Sequence, residues 1–192
     1  MTWLDRLLRD WRIRAARAWI PANARILDIG CGDGALLRAF AGRSASVTGI
    51  DPAADGAISG ARLIRASFPK DLPAGIGPFD AITLLAMLEH VPESEQPEAL
   101  AACAALLDPR GVVIVTLPSP WVDPILDALR ALRLIDGMAL EEHYGFDPRK
   151  APRLFAAGGF ECVARRRFQL GFNNLFVFRL ARNSRNAPAT EA

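Results

Sequence analysis

Residues Ile26-Leu27-Asp28-Ile29-Gly30-Cys31-Gly32-Asp33-Gly34 carry an apolar stretch straight into three glycines at alternate positions, and Ala35 to Phe40 then takes up helical apolar spacing. A strand that meets a helix through so short a turn is a unit of a parallel sheet covered by helices. Glycine in such a turn permits positive φ and lets a ligand lie against bare backbone. The N–H groups opening the next helix suit an anionic group such as a carboxylate or phosphate. Asp51 ends a second apolar run, Ser46 to Ile50, seventeen residues after Gly34. At the carboxyl edge of a sheet its carboxylate can accept both hydroxyls of a ribose. A lone G-x-G only tightens a strand-to-helix connection, but strand, glycines, Asp28 and Asp51 in register make a nucleoside-binding constellation.

The rest of the chain continues the alternation. Arg62 to Ala66 and Phe79 to Leu85 read as strands, and Gly111 to Leu117 as one buried on both faces. Ala99 to Leu107 reads as a helix opened by the Pro92 segment and stopped by Asp108-Pro109-Arg110-Gly111. Val122 to Ile135 has amphipathic spacing, and a further helix opens at Asp147-Pro148 and ends at Gly158-Gly159. Phe160 to Phe168 and Leu175 to Leu180 pair as a hairpin around Gly171-Phe172-Asn173-Asn174. The expectation is one α/β domain: a Rossmann-like, doubly wound sheet of five parallel strands plus a C-terminal antiparallel hairpin. Residues 1–20 form an amphipathic helix, 21–182 the domain and 183–192 a flexible tail. A chain of 192 residues can bury one such core without metal or disulfide help.

Lys+Arg 23 against Asp+Glu 21 leaves a formal charge of +2, too weak a field for a dedicated nucleic-acid binder. Cys31, Cys103 and Cys162 are spaced for neither a disulfide framework nor a zinc site, so a reducing cytoplasmic setting is expected and no metal. No apolar run reaches the roughly 18 residues of a spanning helix.

Two nucleoside cofactors fit the turn. Gly30, Gly32 and Ala35 nominally satisfy the dinucleotide pattern G-x-G-x-x-G/A, which keeps an NAD(P)-dependent oxidoreductase in play. Asp28 argues the other way, since an acid under the turn repels a pyrophosphate and favours an ammonium or sulfonium. The segments D-I-G-C-G-D-G, V-T-G-I-D, F-D-A-I-T-L-L-A-M-L-E-H-V-P and L-L-D-P-R-G-V-V-I-V-T together resemble the class I S-adenosylmethionine-dependent methyltransferases. E-H-Y-G-F and L-F-A-A-G-G-F look like the group holding the ubiquinone-biosynthesis O-methyltransferases. That resemblance implies that Asp28, Gly30, Cys31, Gly32 and Gly34 wrap the methionine part of S-adenosylmethionine and that Asp51 holds its ribose. It also implies Pro52 near the adenine face and the backbone of Leu85 at the cofactor's border. Where the family often has an acid after the third strand, this chain has Ser67-Phe68, with Phe68 placed to stack or pack on the ring.

Methyl transfer from a sulfonium asks the protein mainly to align the partners and exclude water, with a base only when the acceptor arrives protonated. His90, after the fourth strand and beside Glu89, and His143, in the segment after the fifth, are the candidate bases or acceptor contacts; a loop histidine bonded to backbone is the plain alternative for each. Cys103, on an Ala-rich helical face, reads as core. In the N-terminal helix Trp3, Leu4, Leu7, Leu8 and Trp11 share a face, and five arginines against two aspartates give residues 1–20 a charge of +3. It is expected to be a lid over a small-molecule or lipid-like acceptor; peripheral contact with an anionic membrane is the second reading. The competing functions are the oxidoreductase and a non-catalytic S-adenosylmethionine-binding partner protein.

Overall fold

Seven strands join into one sheet of order β3-β2-β1-β4-β5-β7-β6, in a computed structural model that describes residues 2–119 and 146–181. They are β1 (Arg25–Ile29), β2 (Ser46–Ile50), β3 (Arg62–Ile64), β4 (Phe79–Leu85), β5 (Leu107–Pro118), β6 (Phe160–Phe168) and β7 (Asn173–Leu180). The helices are α1 (Trp3–Arg17), α2 (Ala35–Phe40), α3 (Gln96–Leu106) and α4 (Ala151–Ala157). The expected helix 122–135, His143 and the tail 183–192 lie outside the described residues.

β1 to β5 are mutually parallel, and β7 runs antiparallel between β5 and the edge strand β6, as the sequence reading expects. From β1 the chain builds outward through β2 and β3, then returns to lay β4 on the other side of β1. That reversal opens a crevice at the carboxyl ends of β1 and β4, where ligands of open α/β sheets bind.

Strand alternation divides the core between two faces. Leu27, Ile29, Ile82, Leu84, Val113, Val115, Phe176 and Phe178 pack with Leu100 and Cys103 of α3 and Phe155 of α4. The Phe155 ring stacks on Phe178 at 3.8 Å and meets Phe160 edge-on at 5.6 Å. On the opposite face α2 lays Leu36 and Leu37 on Ile26 and Val47. There too Ala16 of α1 is fully buried against Ala81, Val112, Ile114, Leu175 and Val177. α1 begins with a reciprocal cap in which Thr2 Oγ1 accepts from Asp5 N–H and the Asp5 carboxylate accepts from Thr2 N–H.

The structure moves several boundaries: β3 ends at Ile64 rather than Ala66 and α3 starts at Gln96 rather than Ala99, and three further shifts have a visible cause. β5 starts at Leu107 rather than Gly111, because Leu107 pairs with Phe79 ahead of a register shift and draws Asp108-Pro109-Arg110 into the strand. The turn before β7 is Gln169–Gly171, not 171–174. Asn173 and Asn174 are buried strand residues, because Gln169 Oε1 accepts from Asn173 Nδ2 at 2.7 Å and Ser119 Oγ from Asn174 Nδ2 at 3.0 Å. Internal partners thereby remove the amides' usual preference for turns. Asp147 does not cap α4: it accepts from Arg149 N–H, forming a separate turn before the helix starts at Ala151. At the amino end of the sheet Arg25 donates to both Asp80 oxygens and to Asp108, which holds the Asp80 carboxyl below its usual range.

Candidate functional site

The turn after β1 is built as its glycines require. Gly30, Gly32 and Gly34 have φ of 71°, 50° and 72°, left-handed backbone that an L side chain rarely adopts. Gly30 N–H donates to Ile50 O at 2.8 Å, fixing the turn to the end of β2. A Cβ on Gly30 would meet Met87 Cγ at 2.6 Å, and one on Gly34 would meet Ile58 Cδ1 at 2.2 Å. Gly32 differs, since a Cβ there would meet no atom of the described residues within 4 Å. The turn therefore has two glycines closed in by neighbouring side chains and, between them, one facing open space.

Asp51 clasps this open glycine. Its Oδ2 accepts from Gly32 N–H at 2.9 Å and its Oδ1 from Ala53 N–H at 2.8 Å. A carboxylate offers about four acceptor sites, so each oxygen keeps capacity for a hydroxyl. Pro52 follows, exposed, with its carbonyl taking the Arg65 guanidinium at 3.2 Å. Asp33 caps the start of α2 by accepting from Ala35 N–H at 3.2 Å and is ion-paired to Arg9 of α1 and to Arg38. That first helical N–H, expected to face an anionic ligand, is thus already taken by an acid of the chain itself.

Asp28 lies buried beneath the turn. The β1–β4 register sets it opposite Thr83, whose hydroxyl donates to Asp28 Oδ1 at 2.6 Å. Burial pushes the carboxyl up to about 7, Thr83 pulls it back, and neighbouring Asp51 adds to the rise. Cys31 is buried beside it, and burial followed by the charges of Asp28 and Asp51 pushes its thiol up to about 12. The same cause acts on Cys103, fully buried in α3 and also near 12, as its reading as core requires. Cys162 is exposed on β6.

The structure gathers Asp28, the glycines, Cys31, Asp51 and Pro52 at one point of the sheet. Leu85 ends β4, half-buried, and Ala86 beyond it donates to Thr116 Oγ1 at 3.0 Å. Ser67 and Phe68 lie past β3, but Phe68 packs against the face opposite α1. Asp71, which the sequence reading passes over, returns a carboxylate to this place by accepting from Ser67 N–H at 3.3 Å. Thr83, Met87 and Ile58 are further additions, visible only once the strands are in register and the loops closed.

His90 sits in a single 3-10 turn, Leu88–His90, past the end of β4 and half-buried. Glu89, read as its partner, points inward: it is only 2% exposed and its Oε2 has no hydrogen-bond partner among the described residues. Burial pushes this carboxyl up to about 7, and the charge opposing that rise is Arg12 of α1. Gln169 in turn donates from Nε2 to Leu8 O at 2.7 Å. α1 therefore meets the carboxyl edge at three places: the glycine turn, the turn after β4 and the turn before β7. Among the described residues no group of three or more His, Cys, Asp or Glu is placed to hold a metal, and no helix is long and apolar enough to cross a membrane.

Comparison with known proteins agrees with this geometry. The Burkholderia thailandensis 1,6-didemethyltoxoflavin-N1-methyltransferase, solved with 1,6-didemethyltoxoflavin and S-adenosylhomocysteine, superposes with a TM-score of 0.70 at 18% identity, over 93% of this chain and 80% of that one. The magnesium protoporphyrin IX methyltransferase of Synechocystis, with bound S-adenosylhomocysteine, gives 0.61 at 18% identity over 90% and 83% of the two chains. These likenesses establish the class I methyltransferase fold. Among sequence relatives, a ubiquinone biosynthesis O-methyltransferase of Xanthomonas axonopodis pv. citri is 42% identical over 108 residues, half of this chain and 44% of the relative. One from Bordetella avium is 36% identical over 135 residues, covering 62% and 55%. The chain thus spans about half the length of the curated relatives it matches. The profile of the Methyltransferase domain family matches residues 2–165. With the switch-point crevice, the glycine turn and its acid all inside that span, the chain belongs to the methyltransferase domain family.

Proposed function

We propose that the chain binds S-adenosylmethionine on the Gly30–Gly34 turn and transfers its methyl group to an oxygen of a small organic or lipid-linked acceptor. The observation that carries this is the Asp51–Gly32 clasp at the switch point. It holds a bare glycine toward open space beside a carboxylate with spare acceptor capacity. A nucleoside fits there with its ribose on Asp51 and its amino-acid part over the turn, above buried Asp28. Pro52 and the Ser67–Asp71 turn border the adenine end, and the backbone of Leu85 the side nearer the acceptor.

Asp28 favours a cation over a pyrophosphate. Near neutrality its carboxyl is poised between charge states, and a sulfonium or ammonium above it would draw off the proton. When bound, S-adenosylmethionine supplies a methyl group already activated by the positive sulfur. What remains for the chain is alignment and exclusion of water. α1, tied over the carboxyl edge, shields one side of the crevice. His90, half-buried in the turn past β4, is the residue we assign to take the proton of an acceptor hydroxyl, with His143 as the alternative base or acceptor contact. The oxygen acceptor follows the names of the ubiquinone biosynthesis O-methyltransferases.

A labelled-methyl transfer screen against phenolic quinone precursors, other hydroxylated acids and amines tests the assignment. Label is expected on a hydroxyl, with His90→Ala lowering the rate most below the acceptor's own pKa. Label only on amines, or transfer equally fast in His90→Ala at every pH, would overturn the acceptor atom and the base respectively.

A further inference from the structure

We propose that the outward face of α1 is a docking surface for an anionic phospholipid bilayer, an interaction separate from the methyl-transfer reading. The helix is pinned by its inner face. Ile13 and Ala16 are in the core, Arg9 pairs with Asp33, and Leu8 O accepts from Gln169. It cannot roll over to bury its other side, and that side is apolar. Trp3, Leu7 and Trp11, spaced by four and so aligned along the helix, are 63%, 48% and 38% exposed. Scattered exposed apolar residues are ordinary, but two tryptophans and a leucine in one stripe are not.

The charges around the stripe select the occupant. Arg6, Arg14 and Arg17 are exposed and make no ion pair with a described residue. Asp10, the acid on this side, is bonded to Arg9 at 3.0 Å. A second copy packed on this face would set arginine against arginine. Lipid phosphates complement them instead, with the guanidinium heads at headgroup level and the indoles at the interface, where tryptophan concentrates. The turn that holds Leu8 also carries Leu170, 84% exposed, as a further apolar contact. Since the same helix covers the carboxyl edge, docking would set the mouth of the crevice against the lipid, a route for a lipid-linked acceptor.

Sedimentation of the full chain with vesicles of phosphatidylcholine, alone or with about one-third phosphatidylglycerol, tests the proposal. Binding to the anionic vesicles is expected to be at least about tenfold tighter than to the neutral ones. Arg6→Gln/Arg14→Gln/Arg17→Gln should abolish that preference, and Leu7→Ser/Trp11→Ser should weaken sedimentation with both vesicle types. Melting temperature and S-adenosylhomocysteine calorimetry should not change in either variant, showing fold and nucleoside site intact. Sedimentation equal in wild type and variants would overturn the proposal, as would a wild-type dimer that Leu7→Ser/Trp11→Ser splits. Vesicle binding without S-adenosylhomocysteine binding would leave the docking surface standing and refute the methyl-transfer reading alone.

Discussion

Replacing Gly32 by alanine separates the ligand-facing glycine from those that only shape the turn. Gly32 has φ +50° and Gly42, just past α2, has φ +72°; a Cβ at either meets nothing among the described residues within 4 Å. Both substitutions therefore carry the same left-handed backbone cost, about 1–2 kcal/mol, partly offset by the lower entropy of the unfolded alanine chain. Each should lower unfolding free energy by about 1 kcal/mol in a urea titration. They part company at the ligand. A methyl group on Gly32 stands in the space assigned to the amino-acid part of S-adenosylmethionine, while the Gly32 N–H bond to Asp51 is kept. Lifting the ligand off the turn should weaken S-adenosylhomocysteine at least about tenfold, some 1.4 kcal/mol. Gly42→Ala, remote from the turn, should bind as wild type does. Gly34→Ala is the contrasting case, since its Cβ would overlap Ile58 Cδ1 at 2.2 Å. Turning the partly buried Ile58 methyl aside relieves that overlap, so the stability loss should stay about 1–2 kcal/mol, set by the left-handed backbone, while the displaced Ile58 changes the wall of the turn. If calorimetry gives Gly32→Ala and Gly42→Ala the same affinity, the ligand does not lie on this turn.

Other outcomes follow from the same geometry. Because the folded Asp28 carboxyl sits near 7 and the unfolded one near 4, the native state holds the extra proton between those pH values. Stability of the ligand-free protein should fall as pH rises through that window, with this group contributing at most about 1.4 kcal/mol per pH unit. Asp28→Asn should flatten that part of a denaturation-against-pH profile and remove the tightening of S-adenosylmethionine binding expected between about pH 6 and 8. Titration of the native protein with a thiol reagent should modify exposed Cys162 rapidly and leave buried Cys31 and Cys103, with thiols near 12, unreacted until unfolding. Phe155→Ala removes a fully buried ring stacked on Phe178 and should cost about 3–5 kcal/mol in the same urea assay.

The parallel strands and their glycine turn were legible because each is a local pattern: an apolar run, a glycine at a forced φ, an acid at a strand end. β2 and β4 fall where their apolar runs predict, and Asp51 beside Gly32 follows from strand lengths alone. What was not legible depended on partners far along the chain. Asn173 and Asn174 read as turn formers, and only Gln169 and Ser119 inside the fold make them strand residues. Glu89 read as the neighbour of His90, until α1 brought Arg12 across to face it. The stripe of α1 read as a lid's inner lining, whereas its small residues, Ala16 above all, are the ones the sheet accepts. Thr83 as the partner of Asp28 required the β1–β4 register, which no local pattern sets.

Calorimetric titration of the wild-type chain with S-adenosylhomocysteine, S-adenosylmethionine and NADH is the most direct test of the central claim. One equivalent of either S-adenosyl ligand should bind, more weakly in Asp51→Ala, and NADH should give no heat of binding. Saturable NADH binding, or S-adenosylhomocysteine binding that Asp51→Ala leaves untouched, would contradict it.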